Sequence, residues 1–480
     1  MPDPSPSTTP RILILGAGPA GLGAALQLQR QGRGQATVLE QHAVPGGNAG
    51  SFDFGGQRLD YGSHRLHPAS DPDILADIKT LVGDDLLVRP RHGRIRLRGR
   101  WIHFPLKPAD LLLRLDKGFA ISSSVDMARK ALGLTGTPAD HFAGVLWNSL
   151  GPTICRDFYF PYARKIWGLY PEQLSSVQAR RRVKASSFGG LMKKVFGALP
   201  GLKQPMTGKF YYPRQGFGQI CEAYAAAASS SGASVRYQHR VEQVIPPATD
   251  RAPWTVLARG SQGTEQLQAD YLWSTIPITA VANAYQGEIP ASVPAAAASI
   301  RYRAMILVYL QLDVEQFTEY DAHYLPESGV RITRLSEPKN YRDAVPPTGK
   351  TVLCAELPCE ADDDVWKLDD ASLGELVAAD LKTVGLPLAR PPIAVFTRRL
   401  RQAYPIYLTG YEAHFGALDR WADSLPRFLT FGRQGLFSHD NTHHALRMGY
   451  AAAECLRPNG FDERAWRAYR KEFESHVVED

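Results

Sequence analysis

Three glycines near the N-terminus have the spacing of a phosphate-binding turn. They form Gly16-x-Gly18-x-x-Gly21, between an apolar run RILIL (11–15) and a helical run AALQLQRQG (24–32). In a strand–turn–helix unit of this kind, the first glycine permits the tight turn and the second lets the backbone approach a pyrophosphate. The third glycine lets the helix pack close to the strand, and the helix N-terminus favours the phosphate charge. The spacing therefore predicts a dinucleotide-binding site.

A carboxylate follows in the next predicted strand. The run ATVLEQH (36–42) contains Glu40, which is placed to accept hydrogen bonds from the ribose hydroxyls of an adenosine. A carboxylate at this point would repel a 2′-phosphate, so the pattern disfavours NADP. The glycines and the acid together do not distinguish NAD from FAD.

The segment that comes next favours FAD. The Gly46-Gly47 doublet brings the backbone close to a bulky group, which in flavoproteins is the FAD diphosphate and ribityl chain. Apolar and polar residues then alternate over 52–61, a pattern typical of a β-hairpin. The predicted hairpin leads into a glycine-containing turn that carries His64.

Several segments resemble one superfamily of two-domain flavoproteins. GGNA (46–49) and YGSHRLH (61–67) are similar to segments of the group that holds amine oxidases, protoporphyrinogen oxidases, carotenoid desaturases and UDP-galactopyranose mutases. YFPYARKIWG (159–168), YYPRQGFGQI (211–220) and FGRQGLFSHDNTHHAL (431–446) follow in the order found in that group. The closest resemblance is to the mutase-like branch, which includes proteins labelled protoporphyrinogen oxidase-like. It implies FAD as the cofactor and a mixed α/β fold, in which a Rossmann-type FAD-binding domain is interleaved with a substrate-binding domain.

The resemblance and the strand patterns together predict how the two domains alternate along the chain. Parallel strands are expected within 270–277 and 427–435, a helix over 443–456, and a hairpin from 233–245 and 254–259. The expected division is a disordered N-terminus (1–10), FAD-binding parts at 11–95, 211–280 and 421–480, and substrate-domain parts at 96–210 and 281–420.

Two residues are predicted to take part in catalysis. By resemblance, His64 lies against the isoalloxazine ring, where stacking and a switchable hydrogen bond respond to the flavin charge. The alternative for His64 is a histidine that only shapes the loop. Arg334 matches a family arginine that contacts the substrate diphosphate in the mutases, and its planar fork suits phosphate or carboxylate oxygens. A solvated or salt-bridged arginine is an equally good interpretation of that position.

A second turn, Gly432-Arg433, is predicted to lie at the flavin. It follows a predicted strand and precedes a helix whose N-terminus would stabilise negative charge at the N1–C2=O edge of the flavin. The Arg433 side chain is expected to neutralise an FAD phosphate, and no ligand spacing indicates a metal site. The residues predicted to bind the cofactor are Gly16, Gly18, Ala20, Gly21, Glu40, Gly46, Gly47, Asn48, Gly62, Ser63, His64, Val244, Gly432, Arg433, His439, Asn441 and Thr442.

Four positions depart from the mutase pattern. Phe437 and Leu357 stand where phosphate-binding tyrosines are expected, Ser186 stands near an expected arginine, and Asn441 replaces an acid. Three arginines do lie close by, at 180–182. These departures weaken the case for a UDP-sugar bound in the mutase manner and leave the FAD prediction unchanged.

Three functions remain open from the sequence. The favoured one is an FAD-dependent oxidoreductase that removes hydride from a C–H bond of an organic small molecule and passes it to flavin N5. The alternative is a nucleotide-sugar mutase that acts through a covalent adduct with reduced flavin. The third is a non-catalytic FAD-binding scaffold, which would require an obstructed flavin face.

Composition limits the partners. The formal charge of +7 and pI near 9.0 come from scattered residues rather than a basic block, so phosphates of a cofactor or substrate are favoured over a nucleic acid. Five cysteines without CxxC spacing indicate reduced thiols and a cytoplasmic protein. No apolar run is long enough to span a bilayer, so membrane contact is expected to be peripheral at most. The basic and apolar segment 187–206 is interpreted as a packed helix and loop, with a mobile lid or a membrane-contacting patch as alternatives.

Overall fold

The structure is a computed structural model that describes residues 9–104, 114, 116–134, 136–182, 208–343 and 347–478. The predicted disordered N-terminus lies largely outside these residues. The segment 187–206 and Ser186 lie wholly outside them.

A five-stranded parallel sheet forms around the first strand of the chain. Arg11–Leu15 lies at its centre and pairs with a parallel strand on each side. In spatial order the strands are Phe428–Thr430, Tyr271–Ser274, Arg11–Leu15, Gln35–Leu39 and Ser234–Arg236. Because all of them run parallel, the segments that follow their carboxyl ends converge at one edge of the sheet.

The central strand is apolar on both faces, so the sheet is covered on both sides. Ile12 and Ile14 pack in one cluster with three helices, whereas Leu13 and Leu15 pack in another with a small antiparallel sheet. The three helices are Pro19–Arg30, Gln219–Ser230 and Thr442–Cys455. The strands of the antiparallel sheet are Arg240–Ile245, Trp254–Gly260 and Gly263–Ala269.

Two of these helices touch backbone to backbone. A Cβ built on Gly449 would lie 2.2 Å from the Ala20 carbonyl oxygen and 2.7 Å from the Ala24 nitrogen. Only glycine permits this approach, which fixes the helix that begins at Thr442 directly against the helix of the glycine turn.

A seven-stranded sheet forms the second layer of the molecule. Its strands are, in spatial order, Ala394–Ile406, Arg301–Leu312, Thr351–Cys359, Arg334–Ser336, Ala322–Tyr324, Gly93–Leu97 and Arg100–Phe104. They are antiparallel except where Ala322–Tyr324 pairs with Gly93–Leu97.

The two faces of this sheet meet different neighbours, because successive side chains of a strand alternate between them. On what we call the far face, Leu353 and Leu357 pack with the helix Asp370–Thr383. On the near face, Cys354 packs with the hairpin of strands Ser51–Phe54 and Gln57–Asp60. The hairpin therefore joins the near face to the glycine loops that precede it.

The remaining elements surround these sheets. The other helices are Pro72–Val82, Lys117–Ala131, Phe142–Leu150, Pro152–Ile154, Phe160–Trp167, Ser176–Arg182, Ile278–Ala284, Ser292–Ser299, Asp364–Lys367, Tyr411–Ser424, Gly432–Gly435 and Glu463–Glu474. Shorter helical turns are Gly47–Ala49, Gly83–Asp85, Cys155–Tyr159, Pro171–Gln173 and Pro338–Tyr341. Two further strand pairs are Leu86–Pro90 with Lys209–Pro213, and Leu456–Arg457 with Gly460–Phe461. Every helix in the described residues is too short or too polar to cross a bilayer.

The mixed α/β fold predicted from the sequence is confirmed, and one local prediction needs correction. The segment 233–245 does not form a single hairpin strand. Its first part, Ser234–Arg236, joins the parallel sheet, and only Arg240–Ile245 pairs with Trp254–Gly260. The break occurs at Gln238, whose φ of 59° turns the chain. The predicted domain boundaries remain a proposal.

Candidate functional site

The turn after the first strand has the geometry that its glycine spacing predicts. Gly16 has a φ of 101°, and a Cβ built on it would lie 2.7 Å from Thr275 Oγ1. A Cβ on Gly21 would lie 2.1 Å from the Gly16 carbonyl oxygen, so only glycine lets the helix approach the turn so closely. At Gly18, in contrast, an added Cβ would meet nothing within 4 Å. The backbone at Gly18 therefore faces open space.

A second glycine loop lies across this space. The Gly46 N–H donates to the Ala17 carbonyl at 2.8 Å, and Gly46 has a φ of 115°. A Cβ on Gly47 would have Gly18 Cα, at 3.9 Å, as its nearest neighbour. The half-buried Asn48 follows Gly47 in a short helical turn. Two glycine loops that face each other across a gap have a geometry that suits a diphosphate, as the sequence predicts.

The helix Pro19–Arg30 begins behind the turn, and no side chain caps its N-terminus. Ala20, in its first turn, is buried. Glu40 lies buried beside it, with Oε2 accepting from the Ala17 N–H at 3.0 Å and Oε1 from the His42 N–H at 2.9 Å. Each carboxylate oxygen can accept a further hydrogen bond. The uncapped helix and the carboxylate fit the phosphate and ribose of FAD.

The Gly432 turn reaches the same helix. Gly432 has a φ of 81°, and a Cβ on it would lie 2.8 Å from Ala20 Cβ. The Arg433 guanidinium donates from Nη2 to the Ala403 carbonyl at 3.0 Å and from Nη1 to the Asp440 carbonyl at 3.3 Å. These bonds tie the turn to the seven-stranded sheet, and the role of Arg433 towards an FAD phosphate stays a prediction.

Past this turn, the chain enters the helix Thr442–Cys455. Asn441 caps it, and the Asn441 N–H donates to His444 Nδ1 at 3.2 Å. His439, which is 1% exposed, packs edge-on against Trp167 and Tyr407, with ring centroids 5.2 Å and 4.9 Å away. Trp167 belongs to the segment 159–168 that carries part of the resemblance. The structure thus brings that segment to the turn that the sequence predicts to lie at the flavin.

A buried carboxylate organises the histidines around this turn. Asp440 Oδ1 lies 3.1 Å from His476 Nδ1 and 3.5 Å from His444 Nδ1, and Ser438 Oγ donates to Oδ2. Burial by itself would raise the pKa of Asp440, but the hydrogen bonds from His476 and Ser438 and the nearby histidines hold it below its usual value. In the part of the chain that the structure describes, this is the one group with metal-ligand spacing. Both Asp440 oxygens and His444 Nδ1 already have hydrogen-bond partners, so we assign no metal to it.

His64 lies in a turn that faces the near face of the seven-stranded sheet. Its Nε2 is 2.9 Å from the Tyr61 carbonyl, and its ring centroid is 5.2 Å from that of Phe217. Because a carbonyl only accepts, Nε2 carries the hydrogen and Nδ1 is the basic nitrogen. Burial lowers the pKa of His64, which outweighs the opposite effect of Asp60, so the imidazole is neutral at physiological pH.

Arg334 and Glu356 form a buried ion pair next to this turn. Glu356 Oε1 accepts from Arg334 Nε at 2.9 Å, from Arg334 Nη2 at 2.7 Å and from the Ser63 N–H at 3.0 Å. The two side chains are 17% and 6% exposed. Gly62, with a φ of 103°, would place a Cβ 3.4 Å from the same carboxylate oxygen. Glu356 thus connects the predicted substrate arginine to the predicted flavin-contacting turn.

The ion pair is part of a row that crosses five strands of the near face. Each member is the register partner of the next: Tyr324, Arg334, Glu356, Leu307 and Arg398. The Arg398 guanidinium carbon lies 4.7 Å from the Phe52 ring centroid and 4.9 Å from that of Phe396. The row therefore presents two cations and one carboxylate on the side of the sheet that meets the hairpin.

Sequence reasoning missed three residues of this region. Glu356, Arg398 and Asp60 had no motif to mark them, because their partners come from distant parts of the chain. Asp60 accepts hydrogen bonds from Ser51 Oγ at 2.6 Å and Tyr212 Oη at 2.5 Å, and so joins the hairpin to another strand. The available signal for Glu356 was a single acid within an otherwise uncharged strand.

The structure also locates the positions that depart from the mutase pattern. Phe437 is 1% exposed and packs among aromatic rings, with the Tyr302 ring centroid 5.1 Å away. Leu357 lies on the far face, opposite in direction to Glu356. Leu357 therefore points away from Arg334, and Phe437 packs in the cluster beneath the parallel sheet. Val244 is fully buried in the small antiparallel sheet, beneath the parallel sheet.

Comparison with known proteins gives the same fold. The profile of a family described as flavin containing amine oxidoreductase matches residues 19–456. A phytoene dehydrogenase of Streptomyces griseus is 28% identical over 268 residues, which span 48% of this chain and 48% of that protein. The chain thus aligns with about half the length of this curated relative.

Solved structures of low sequence identity share the architecture. Reduced UDP-galactopyranose mutase superimposes with a TM-score of 0.78 over 93% of each chain, at 22% identity. A candidate protoporphyrinogen oxidase from Exiguobacterium sp. 255-15 gives 0.70 at 19% identity, over 93% of this chain and 98% of the other. Putrescine oxidase bound to putrescine gives 0.64 at 18% identity, with the same coverage. At these identities, the likeness establishes the fold alone.

Proposed function

Because the chain belongs to the flavin-containing amine oxidoreductase family, whose cofactor is FAD, we propose that it is an FAD-dependent oxidoreductase of an organic small molecule. When bound, FAD accepts a hydride at N5, and the protein positions the C–H bond that supplies it. The observation that carries the choice of oxidation over sugar isomerisation is the buried pair of Arg334 and Glu356.

The pair matters because it neutralises the arginine that a diphosphate would need. Both Nε and Nη2 of Arg334 are already bonded to Glu356 Oε1, at 2.9 Å and 2.7 Å. A diphosphate that approached Arg334 would also approach the Glu356 carboxylate and be repelled by it. A neutral or weakly charged substrate meets no such repulsion, so we infer a substrate that is not a diphosphate.

We infer that His64 acts as a general base or acid in this reaction. Its neutral imidazole donates from Nε2 to the Tyr61 carbonyl, which leaves Nδ1 able to accept a proton or hydrogen bond. Glu356 positions the turn that holds His64, because it accepts from the Ser63 N–H. We further propose a cytoplasmic location, supported by five cysteines that are all buried and unpaired.

A nucleotide-sugar mutase is the second candidate, and one observation favours it. Two tyrosine rings lie beside the arginines, with Tyr324 5.8 Å from the Arg334 guanidinium and Tyr404 5.3 Å from that of Arg433. Tyrosine hydroxyls could replace those missing at 437 and 357. In that case, the Glu356 carboxylate must turn away from Arg334 when the substrate binds.

The test is anaerobic mixing of the oxidised holoenzyme with amines and lipophilic C–H donors, while the flavin absorbance is followed. The proposal predicts that one of these classes bleaches the flavin and is recovered oxidised. In parallel, dithionite-reduced enzyme is incubated with a panel of nucleotide sugars, and the products are analysed. A ring-isomerised sugar made only by the reduced enzyme would replace the proposal with the mutase function.

His64→Ala tests the role of the turn once a substrate is known. We expect the variant to keep FAD and to react at least about a hundredfold more slowly, the usual effect of losing a general acid or base. His67→Ala is a matched control, since His67 Nδ1 accepts from the Ala69 N–H within its own turn. Equal rates for the two variants would remove His64 from the reaction.

A further inference from the structure

The helix Lys117–Ala131 and the residues just after it expose a stripe of apolar side chains to the outside. Ile121, Val125 and Leu132 recur at helical spacing on one face and are 66%, 43% and 71% exposed. Leu134, just past the end of the helix, is 70% exposed. A surface helix of a globular protein normally turns such a stripe towards the core.

The opposite face of this helix is fixed to the protein by polar contacts. Ser123 and Asp126 are each 7% exposed, as is Phe119. Asp126 Oδ2 accepts a hydrogen bond from the Thr153 N–H at 2.7 Å, and Gly151 packs directly over the Asp126 side chain. A rotation of the helix that buried Ile121 would expose Asp126 and break its hydrogen bond to Thr153. These contacts therefore keep the apolar stripe facing outwards.

This stripe is the main concentration of exposed apolar side chains in the described residues. Besides Ile121, Val125, Leu132 and Leu134, the large hydrophobic side chains exposed there are Val88, Tyr170, Val314 and Ile393, each in a different part of the chain. Single exposed hydrophobics are ordinary on protein surfaces, whereas several on one helix face mark an interaction site.

The exposed charges on the stripe side of the helix are cations, and the one acid at its N-terminus, Asp116, is paired with Arg98 at 2.8 Å. Lys117 and Arg129 are exposed on the side of the helix that carries the stripe, whereas Lys130 lies on the packed side and donates to the Ser149 carbonyl at 2.9 Å. Among the described residues between 117 and 134, the one acid is the buried Asp126. A second copy of the chain placed symmetrically on the stripe would bring these cations against each other. An apolar stripe flanked by lysine and arginine instead matches an anionic lipid surface, where the apolar side chains enter the acyl boundary and the cations meet the headgroups.

We propose that the surface formed by Ile121, Val125, Leu132 and Leu134, with Lys117 and Arg129, docks the protein onto anionic membranes. The helix would lie in the plane of the membrane, as expected for an amphipathic helix that is too short to cross it. The docking goes beyond the proposed oxidoreductase function and does not depend on it. It places the enzyme where lipophilic molecules are concentrated.

Vesicle sedimentation of the full-length holoenzyme tests the proposal. The vesicles are phosphatidylglycerol mixed with phosphatidylcholine, or phosphatidylcholine alone. The patch variant is Ile121→Gln with Val125→Gln and Leu132→Gln, and the control variant is Val88→Gln with Val314→Gln and Ile393→Gln. Bound flavin and circular dichroism establish that each variant is folded.

The wild-type protein should sediment with the phosphatidylglycerol vesicles and only weakly with phosphatidylcholine, and added salt should weaken the binding by screening the cations. The partition coefficient of the patch variant should be at least about tenfold lower, because transferring glutamine from water into the lipid interface gains less free energy than transferring an apolar side chain. The control variant should stay within about twofold of wild type. The double variant Lys117→Gln with Arg129→Gln should bind the phosphatidylglycerol-containing vesicles more weakly and leave the binding to pure phosphatidylcholine vesicles unchanged.

Two results would overturn the proposal. Equal binding by the patch and control variants would show that the stripe does not contact lipid. Absence of vesicle binding, together with a dimer in sedimentation velocity that the patch variant abolishes, would assign the stripe to a second copy of the chain.

Discussion

Replacing Glu356 with glutamine removes a buried charge while keeping the shape of the side chain. In the native protein, one oxygen of Glu356 accepts hydrogen bonds from Arg334 Nε, Arg334 Nη2 and the Ser63 N–H. A glutamine can still accept through its carbonyl oxygen, but its amide can no longer balance the guanidinium charge. Arg334 would then be a buried cation without a counter-ion.

The expected cost follows from the burial of the pair. With side chains 17% and 6% exposed, the two ions are largely removed from water. Breaking a buried pair by removing one partner costs roughly 3–5 kcal/mol. Because glutamine retains an acceptor, we expect Glu356→Gln to lower the free energy of unfolding by about 3 kcal/mol, the lower end of that range.

A double-mutant cycle isolates this interaction. Unfolding by urea, with FAD held at a fixed excess so that its binding contributes equally, is measured for Glu356→Gln, Arg334→Met and the double variant. The double variant should be more stable than the sum of the single effects predicts, by about 1–3 kcal/mol. Glu265→Gln is the matched control, because Glu265 pairs with Arg236 at the surface, with 46% and 36% of the side chains exposed. Its effect should stay below about 1 kcal/mol.

A loss of less than about 0.5 kcal/mol for Glu356→Gln would refute the reasoning, since surface substitutions alone reach that size. Strict additivity in the cycle would do so as well. Either result would mean that Glu356 does not stabilise the buried charge of Arg334. The arginine would then be available to a substrate phosphate, which would favour the mutase function.

Three further outcomes follow from the site and its surroundings. Gly18→Val should fold normally but lose FAD, because the added side chain enters the open space predicted to hold the pyrophosphate. Gly21→Val should instead destabilise the fold, because a Cβ there meets the Gly16 carbonyl at 2.1 Å. Circular dichroism and bound flavin distinguish the two outcomes, and a Gly18→Val protein that retains all its flavin would contradict the predicted site. His323 is fully buried, its Nδ1 accepts from Arg94 Nε at 2.7 Å, and burial lowers its pKa to about 3. Because the pKa of His323 is lower in the folded protein than in the unfolded chain, the free energy of unfolding falls as the pH drops from about 6.5 towards 3, by up to about 5 kcal/mol. In urea unfolding across this range, the free energy of unfolding of His323→Gln should depend less steeply on pH than that of the wild-type protein. An equally steep pH dependence would contradict this prediction. Trp167→Ala should disturb the turn around His439, whose ring centroid lies 5.2 Å from that of Trp167, and should therefore weaken FAD binding. Flavin release on dilution measures this effect, and unchanged release would show that the contact does not support the cofactor site.

The first half of the dinucleotide site could be predicted because its determinants are local. The turn from Gly16 to Gly21 is set by a few consecutive residues, and the steric reason for each glycine is the same wherever such a turn occurs. The hairpin over 52–61 was predictable for the same reason, since alternation along a strand reports which side is buried.

The polar row of the near face could not be predicted, because it depends on strand register. Arg334 and Glu356 become neighbours only when their two strands pair antiparallel, and Arg398 joins them through a third strand. A shift of one residue would send Glu356 to the far face and Leu357 to the near face. Motif matching located Arg334 but gave no information on its partner.

Helical periodicity likewise indicates an apolar face without saying what covers it. The spacing of Ile121, Val125 and Leu132 is that of a core-facing stripe, yet the structure exposes it and buries Asp126 instead. The reason lies in tertiary contacts, chiefly the bond from Thr153 to Asp126, which the local sequence does not encode.

The electron balance of one anaerobic turnover tests the central claim most directly. A known amount of the first substrate found is mixed with oxidised holoenzyme in the absence of oxygen, and flavin reduction and product are both quantified. An oxidoreductase predicts that each molecule of substrate consumed reduces one FAD and is recovered with two electrons fewer. Substrate recovered as an isomer, at an unchanged oxidation level and only when the enzyme was reduced beforehand, would contradict the proposed function.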